Sequence, residues 1–374
     1  MTRSSRTTDA VIVGGGVIGL SLAYELAGGG WRVQLIERGQ LAREASWAGA
    51  GILPPAGRIA STDSYHELAR LSDQLYPIWS AQLREQTGID NGFRRCGGIY
   101  LARNDADADE LRRLAAQWRE RGVVAEPLDA QALAAREPAL SLGEPVLAAH
   151  WLPEEAQVRN PRHLKALAAG CAQRGVEICT GTSVEDFVVR DGRVREIVTS
   201  SGTISAPHLC VTSGPWTKTL LARMKVELGI RPVRGQMALL SSPQPLIRSV
   251  INESRRYLVP RSDGRVLVGS TEEHAGFDKR TTAEAIAGLL NFAFGLVPAL
   301  ADFSIEQCWA GLRPGTRDDL PYLGKLPGLE NAYVAAGHFR GGLHLSPATA
   351  VVMTRLMRGE PPGIDLAPFR VERE

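Results

Sequence analysis

Val11-Ile-Val-Gly14-Gly15-Gly16-Val17-Ile18-Gly19 is a G-x-G-x-x-G fingerprint, and its surroundings give it meaning. Asp9–Val13 reads as a short buried strand before it, and Leu20–Ala27 carries helical spacing after it. Gly28–Gly30 ends that helix, and Trp31–Ile36 is a second strand closed by Glu37, 18 positions after Gly19. This is a βαβ unit of about 30 residues. Gly14 permits the tight turn, Gly16 lets a pyrophosphate approach the backbone, and Gly19 lets the helix pack on the sheet. The phosphates would sit at the positive helix N-terminus. Glu37 would accept hydrogen bonds from ribose hydroxyls. The fingerprint predicts a dinucleotide site but does not choose between NAD and FAD.

Further along, Ser46-Trp-Ala48-Gly49-Ala-Gly51-Ile-Leu53-Pro is a run rich in small residues directly after the ribose-binding strand. Small residues let backbone N–H groups approach a flat ring system. A second such place is Gly337-His338-Phe339-Arg340-Gly341-Gly342, before a helix over Ser346–Met357 whose N-terminus would stabilise negative charge on a flavin.

Between these ends the pattern alternates. Residues 63–90, 105–136 and Asn160–Gly175 read as helices, with Arg94–Ala102 as a strand. Val176–Cys179, Val184–Arg190, Arg193–Ser200 and His208–Thr212 read as short strands, with Asp191–Gly192 as a two-residue hairpin turn. A second β-rich block covers Arg231–Ser270 around the turn Asp263–Gly264, and Thr281–Leu296 is helical.

The 374 residues are enough for one or two domains, and 44% hydrophobic with 22% charged residues is a globular composition. A net charge of +2 supplies no basic footprint for nucleic acid. No apolar run reaches the ~18–20 residues of a membrane span. Met1–Asp9 is polar and lacks a secretory h-region, and Arg3 and Arg6 form no twin-Arg signal. Five cysteines with no CxxC pair fit a reducing cytoplasm rather than a disulfide framework or a zinc site, and the scattered histidines predict no metal.

Four stretches together resemble the D-amino acid oxidase/glycine oxidase family of FAD amine oxidases, most closely the bacterial glycine oxidases of thiamine biosynthesis. They are the fingerprint with Glu37, the loop 46–53, Trp309-Ala-Gly311-Leu-Arg313-Pro-Gly-Thr316, and Ala335-Ala-Gly-His338-Phe-Arg340-Gly341-Gly342 with Ser346-Pro-Ala-Thr349. A weaker match is Tyr257-Leu-Val-Pro-Arg261 with Val268-Gly-Ser-Thr271. The resemblance implies an α/β fold with an α+β substrate domain. A discontinuous Rossmann-like FAD-binding domain would comprise residues 1–90, 151–228 and 310–374. A mainly antiparallel-sheet substrate domain would comprise 91–150 and 229–309.

It also implies the site. Arg313 would hold the substrate carboxylate, since a guanidinium fork binds one bidentately; the competing reading is a structural pair with Asp318 or Asp319. Tyr257 would lie near the same carboxylate, and Arg340 beside flavin or substrate. Non-covalent FAD would contact Gly14, Gly16, Val17, Ile18, Gly19, Glu37, Arg38, Ser46, Ala48, Gly49, Gly51, Leu53, Val184, Gly214, Gly311, His338, Arg340, Gly341, Gly342 and Leu343. Cys308 stands where related sarcosine oxidases bond the flavin, against a bland reading as a buried strand residue. Glu272 and Arg255 replace the Met and His of the best-known glycine oxidase pattern and put strict glycine specificity in question. The expected activity is oxidation of glycine or another small amine or amino acid by hydride transfer to flavin, with molecular oxygen as acceptor. A D-amino acid dehydrogenase, a sarcosine-type oxidase and a non-enzymatic flavin protein are the alternatives. A cytoplasmic homo-oligomer is expected, with possible hand-over of the imine to a thiazole synthase.

Overall fold

The computed structural model describes residues 8–55, 62–141, 143, 145–205 and 207–373. Ala10–Val13, Val33–Glu37, Glu177–Thr180, His208–Val211 and Ala332–Ala336 form a parallel sheet, extended by Tyr322–Lys325 as an antiparallel edge. Three distant segments of the chain therefore build one sheet. The strand pleat divides its two faces. Ala10 and Ile12 enter the core under the helices Val17–Gly28, Asn160–Gln173 and Gly342–Met357, whereas Val11 and Val13 enter the core on the opposite face. Val17–Gly28 is almost wholly buried, which explains its weak amphipathic pattern. A Cβ at Gly19 would lie 1.9 Å from the Gly14 carbonyl oxygen, so glycine is required where this helix leaves the fingerprint turn.

A second sheet runs in the order Ser304–Gly315, Arg231–Ser241, Arg265–Gly269, Arg256–Pro260, Val250–Glu253, Gly98–Ala102, Ala148–Leu152, Glu126–Pro127. All its pairs are antiparallel except Val250–Glu253 with Gly98–Ala102. Its outer face packs on the helix Ala283–Leu296. A three-stranded meander, Val184–Arg190, Arg193–Thr199 and Gly202–Ile204, turns at Asp191 and Gly192. Both turn residues have positive φ (51° and 66°), as the tight hairpin requires.

Four elements differ from the sequence expectation. The helix expected over 105–136 is two, Asp105–Glu120 and Ala130–Arg136, because Gly122 takes a left-handed φ of 77° and Glu126–Pro127 joins the sheet edge. The strand expected over 94–102 is also two. Arg94–Arg95 belongs to a small sheet with Ala156–Gln157 and Ile52–Leu53, and Gly98–Ala102 to the large one, with Gly97 (φ 69°) at the break. Ala148–Leu152 is a strand that periodicity did not mark. The last helix begins at Gly342 rather than Ser346, with Pro347 inside it. Proline removes the N–H that would bond the Leu343 carbonyl. The Tyr76 hydroxyl (2.6 Å) and Ser346 Oγ (2.9 Å) donate to that carbonyl instead, so the helix continues.

Candidate active site

The carboxyl ends of the parallel strands and the inner face of the antiparallel sheet enclose a cavity of about 440 Å³. Ligands of open α/β sheets bind at such strand ends. At one end lie Gly14, Gly16, Val17, Ile18, Glu37, Arg38, Val184 and Gly214; along the middle lie Ser46, Ala48, Gly49 and Gly51; at the other end lie Gly311, Arg313, Tyr257, His338, Arg340, Gly341, Gly342 and Leu343. Two expected contacts lie off the wall. Gly19 sits behind it, against Gly14 and Thr212. Leu53 is turned into a small core with Tyr76, Ala156 and Val158, and its neighbour Ile52 faces the cavity instead.

Hydrogen bonds tie the fingerprint turn to Glu37 and Ser46 at its end of the cavity. Glu37 Oε2 accepts from Gly15 N (2.8 Å) and Oε1 from Gly39 N (2.9 Å). Ser46 Oγ accepts from Val17 N (2.9 Å), a first-turn donor of the fingerprint helix. Arg38 lies 3.8 Å over the Trp216 ring, which stacks in turn on Phe277. Glu37→Ala is expected to weaken FAD binding by about 1–3 kcal/mol. Titration of the apoprotein with FAD checks this, and unchanged affinity would remove Glu37 from the site.

The loop 46–51 is fastened from behind by residues whose role the sequence did not reveal. Asn160 Nδ2 donates to the Ser46 carbonyl (2.8 Å), and Arg261 Nη2 donates to the Ala50 carbonyl (2.7 Å). Asn160 signalled only a helix start, and Arg261 only a weak motif match. Asn160 Oδ1 is buried on the cavity wall with no hydrogen-bond partner among the described residues. That orphaned acceptor, the small-residue loop and the carboxylate at the far end fit a long dinucleotide carrying a flat polar ring.

At the ring end, Arg231–Ser241 and Ser304–Gly315 pair along their length, with Gly235 opposite Gly311 and Met237 opposite Trp309. Gly311, Arg313 and Pro314 of the second strand line the cavity, and Trp309 Nε1 reaches the Ala48 carbonyl beside it (3.0 Å). Cys308 faces the other way, against Ala238 and the outer core, so the cysteine linkage to flavin is not supported. A Cβ at Gly235 would lie 2.3 Å from the Arg313 guanidinium, so glycine there makes room for it. Arg313 Nη2 donates to Ser270 Oγ (2.6 Å) and Nη1 to the Thr271 carbonyl (3.1 Å). Asp318 is taken by Arg373, and among the described residues no carboxylate forms an ion pair with Arg313. Burial pushes the Arg313 guanidinium below its usual range; Tyr257 and Glu272 oppose the shift and Arg340 adds to it. The Tyr257 hydroxyl lies beside Arg313 and 3.7 Å from Met237 Sδ.

Arg340 lines the cavity, and its Nε and Nη2 donate to Glu272 Oε2 (3.2 and 2.5 Å). Arg255 Nη1 donates to the other Glu272 oxygen (2.9 Å). Burial opposes ionisation of Glu272, but the Arg340 hydrogen bond and charge, with Arg255 and Arg313, hold its carboxyl below the usual range. His338 donates to or accepts from Thr349 Oγ1 (3.1 Å), and burial lowers its pKa to about 3, so it is neutral near pH 7.

Comparison with known proteins places this geometry. Residues 9–356 match the family described as FAD dependent oxidoreductase (DAO). The chain is 38% identical over 366 residues to a glycine oxidase of Pseudomonas putida, covering 97% of this chain and 98% of that one. It is 34% identical to a bifunctional protein ThiO/ThiG of Trichormus variabilis, over 93% of this chain and 52% of that protein. The crystal structure of glycine oxidase from Geobacillus kaustophilus superposes with a TM-score of 0.94 at 35% identity, covering 98% of both chains. The cofactor is FAD, and the chain belongs to the FAD dependent oxidoreductase family, among its amino acid oxidases.

Proposed function

We propose that this protein oxidises glycine, or another small amino acid carrying one carboxylate, as a step that supplies thiazole formation in thiamine biosynthesis. The observation that carries the reading is Arg313. It is a guanidinium set in an apolar wall with Tyr257 and Met237, anchored by a hydroxyl and a carbonyl and lacking a carboxylate partner among the described residues. A substrate carboxylate would complete it.

Arg313 then fixes the amino acid at one end, and the Tyr257 hydroxyl beside it adds a second polar contact. Holding the substrate in one orientation is the protein's main contribution, because correct placement of reacting groups removes much of an entropic barrier. The ionisable groups lining this end are Arg313, Tyr257, Arg340, Tyr65, His344 and neutral His338 among the described residues; His344 is engaged by Asp73 (2.6 Å), and none stands as an uncommitted base for the α-carbon proton. Removal of that hydrogen as hydride fits such a wall. FAD supplies the two-electron acceptor for this chemistry. The substrate must enter as its neutral amine. The products under this reading are the imine, or its oxoacid and ammonia, with hydrogen peroxide from molecular oxygen. The ThiO/ThiG relative, of whose length the chain matches about half, supports hand-over of the imine to a thiazole synthase. No helix among the described residues is long and apolar enough to cross a membrane.

Anaerobic mixing of holoenzyme with glycine tests the reading. The flavin's visible absorbance should fall, and in air peroxide should form in step with oxygen uptake. Full flavin colour after mixing with glycine and every other small amino acid would overturn it.

A further inference from the structure

Two arginines, Arg313 and Arg340, line the substrate end of the cavity, and one carboxylate connects Arg340 to a third, Arg255. Glu272 takes Arg340 on one oxygen and Arg255 on the other, while Arg313 is left to a hydroxyl and a carbonyl. Arg340 lines the cavity; Arg255 is 74% exposed and stands outside it. Glu272 itself is only 21% exposed. It follows directly on Thr271, whose carbonyl holds Arg313, so the two cationic groups and the carboxylate are set by one short stretch of chain.

Without Glu272 the substrate end would present two guanidinium groups, enough to hold a carboxylate at each end of a small molecule. With it, one of the two is already satisfied. We propose that Glu272 is a specificity-determining residue, acting through Arg340. By occupying Arg340 it leaves Arg313 to receive the substrate carboxylate alone, so the cavity takes monocarboxylates and turns away dicarboxylates. A second carboxylate arriving at Arg340 must displace Glu272 or lie beside its negative charge, and like charges brought together in a partly desolvated site are strongly disfavoured. Neutralising Glu272 frees Arg340 and removes the repulsion together. The inference deepens the amino acid oxidase reading and rests on it for the chemical class of substrate.

The test uses two ligands that carry no amine and cannot be oxidised as amino acids. Methoxyacetate has one carboxylate, and diglycolate has the same ether skeleton with a carboxylate at each end. Each is titrated into FAD-saturated holoenzyme, and the perturbation of the flavin absorbance gives Kd. The parent should prefer methoxyacetate. Glu272→Gln, which keeps the side chain's shape, should shift the preference toward diglycolate by about tenfold or more. Glu272→Gln combined with Arg340→Gln should lose that gain, which a general loosening of the pocket would not. An unchanged preference in Glu272→Gln overturns the proposal, as does a gain that survives in the double variant. Glycine bleaching of the same preparations separates the two claims. Bleaching without a shift in preference overturns the role of Glu272 alone. A shift in preference without bleaching by any amino acid supports Glu272 and overturns the oxidase reading.

Discussion

Arg313→Ala is expected to lower kcat/KM for glycine, or whichever small amino acid proves best, by about 2–5 kcal/mol of transition-state binding. The loss is large because the truncation leaves a substrate carboxylate facing an apolar wall of Tyr257 and Met237. Arg313→Lys should recover little. The guanidinium is held at two nitrogens, by Ser270 Oγ and the Thr271 carbonyl, and Gly235 leaves space shaped for its plane. A single ammonium cannot make both anchoring bonds and still present a fork to a carboxylate. The decarboxylated amine supplies the control. It should be a poor substrate for the parent and should lose much less on Arg313→Ala. Steady-state kinetics at saturating FAD check this, since lost cofactor would otherwise pass for lost substrate. Equal losses for amino acid and amine would make Arg313 structural and direct the search to amines without a carboxylate.

How much of this site could be read from the chain depends on how local each feature is. The fingerprint turn, Glu37 at the second strand's end and the hairpin at Asp191–Gly192 are set by residues within a few positions of one another, and each stands where the sequence puts it. The break at Gly122 is local too, but the strand after it exists only because Ala148–Leu152 lies beside it. Sheet register is the least legible property. That Gly235 faces Gly311, and so clears space for Arg313, depends on a pairing across 76 positions that no periodicity reveals. The face of Cys308 follows from the same register. Glu272 and Arg255 were visible as a pair, but the third member, Arg340, lies 68 positions from Glu272. The pair could therefore be placed near the pocket mouth, but its tie to the cavity wall through Arg340 could not be read.

Arg261 is the extreme case, and it leads to a second strong expectation. Its side chain is 6% exposed and reaches partners 103 to 211 positions away. Nη1 donates to Gln157 Oε1 (2.5 Å) and the Val158 carbonyl (2.9 Å), and Nη2 to the Ala50 carbonyl (2.7 Å). Burial pushes the guanidinium down to about 9, which still leaves it protonated at neutral pH. Through these bonds the antiparallel sheet grips the small-residue loop that lines the cavity. Arg261→Met keeps much of the packing and removes every donor, leaving three buried acceptors unsatisfied. The expected destabilisation is about 3 kcal/mol or more, at roughly 1–3 kcal/mol for each acceptor less the cost of burying the parent's charge. Denaturant unfolding of the apoprotein measures it. FAD affinity should fall as well, since the Ala50 carbonyl loses its anchor and the loop gains freedom that binding must remove. Arg159→Met is the comparison: its ion pair with Asp263 is partly exposed, and such pairs contribute about 0–1 kcal/mol. If Arg261→Met unfolds no more readily than Arg159→Met and binds FAD as the parent does, the loop is held by its own backbone and the sheet does not set its position.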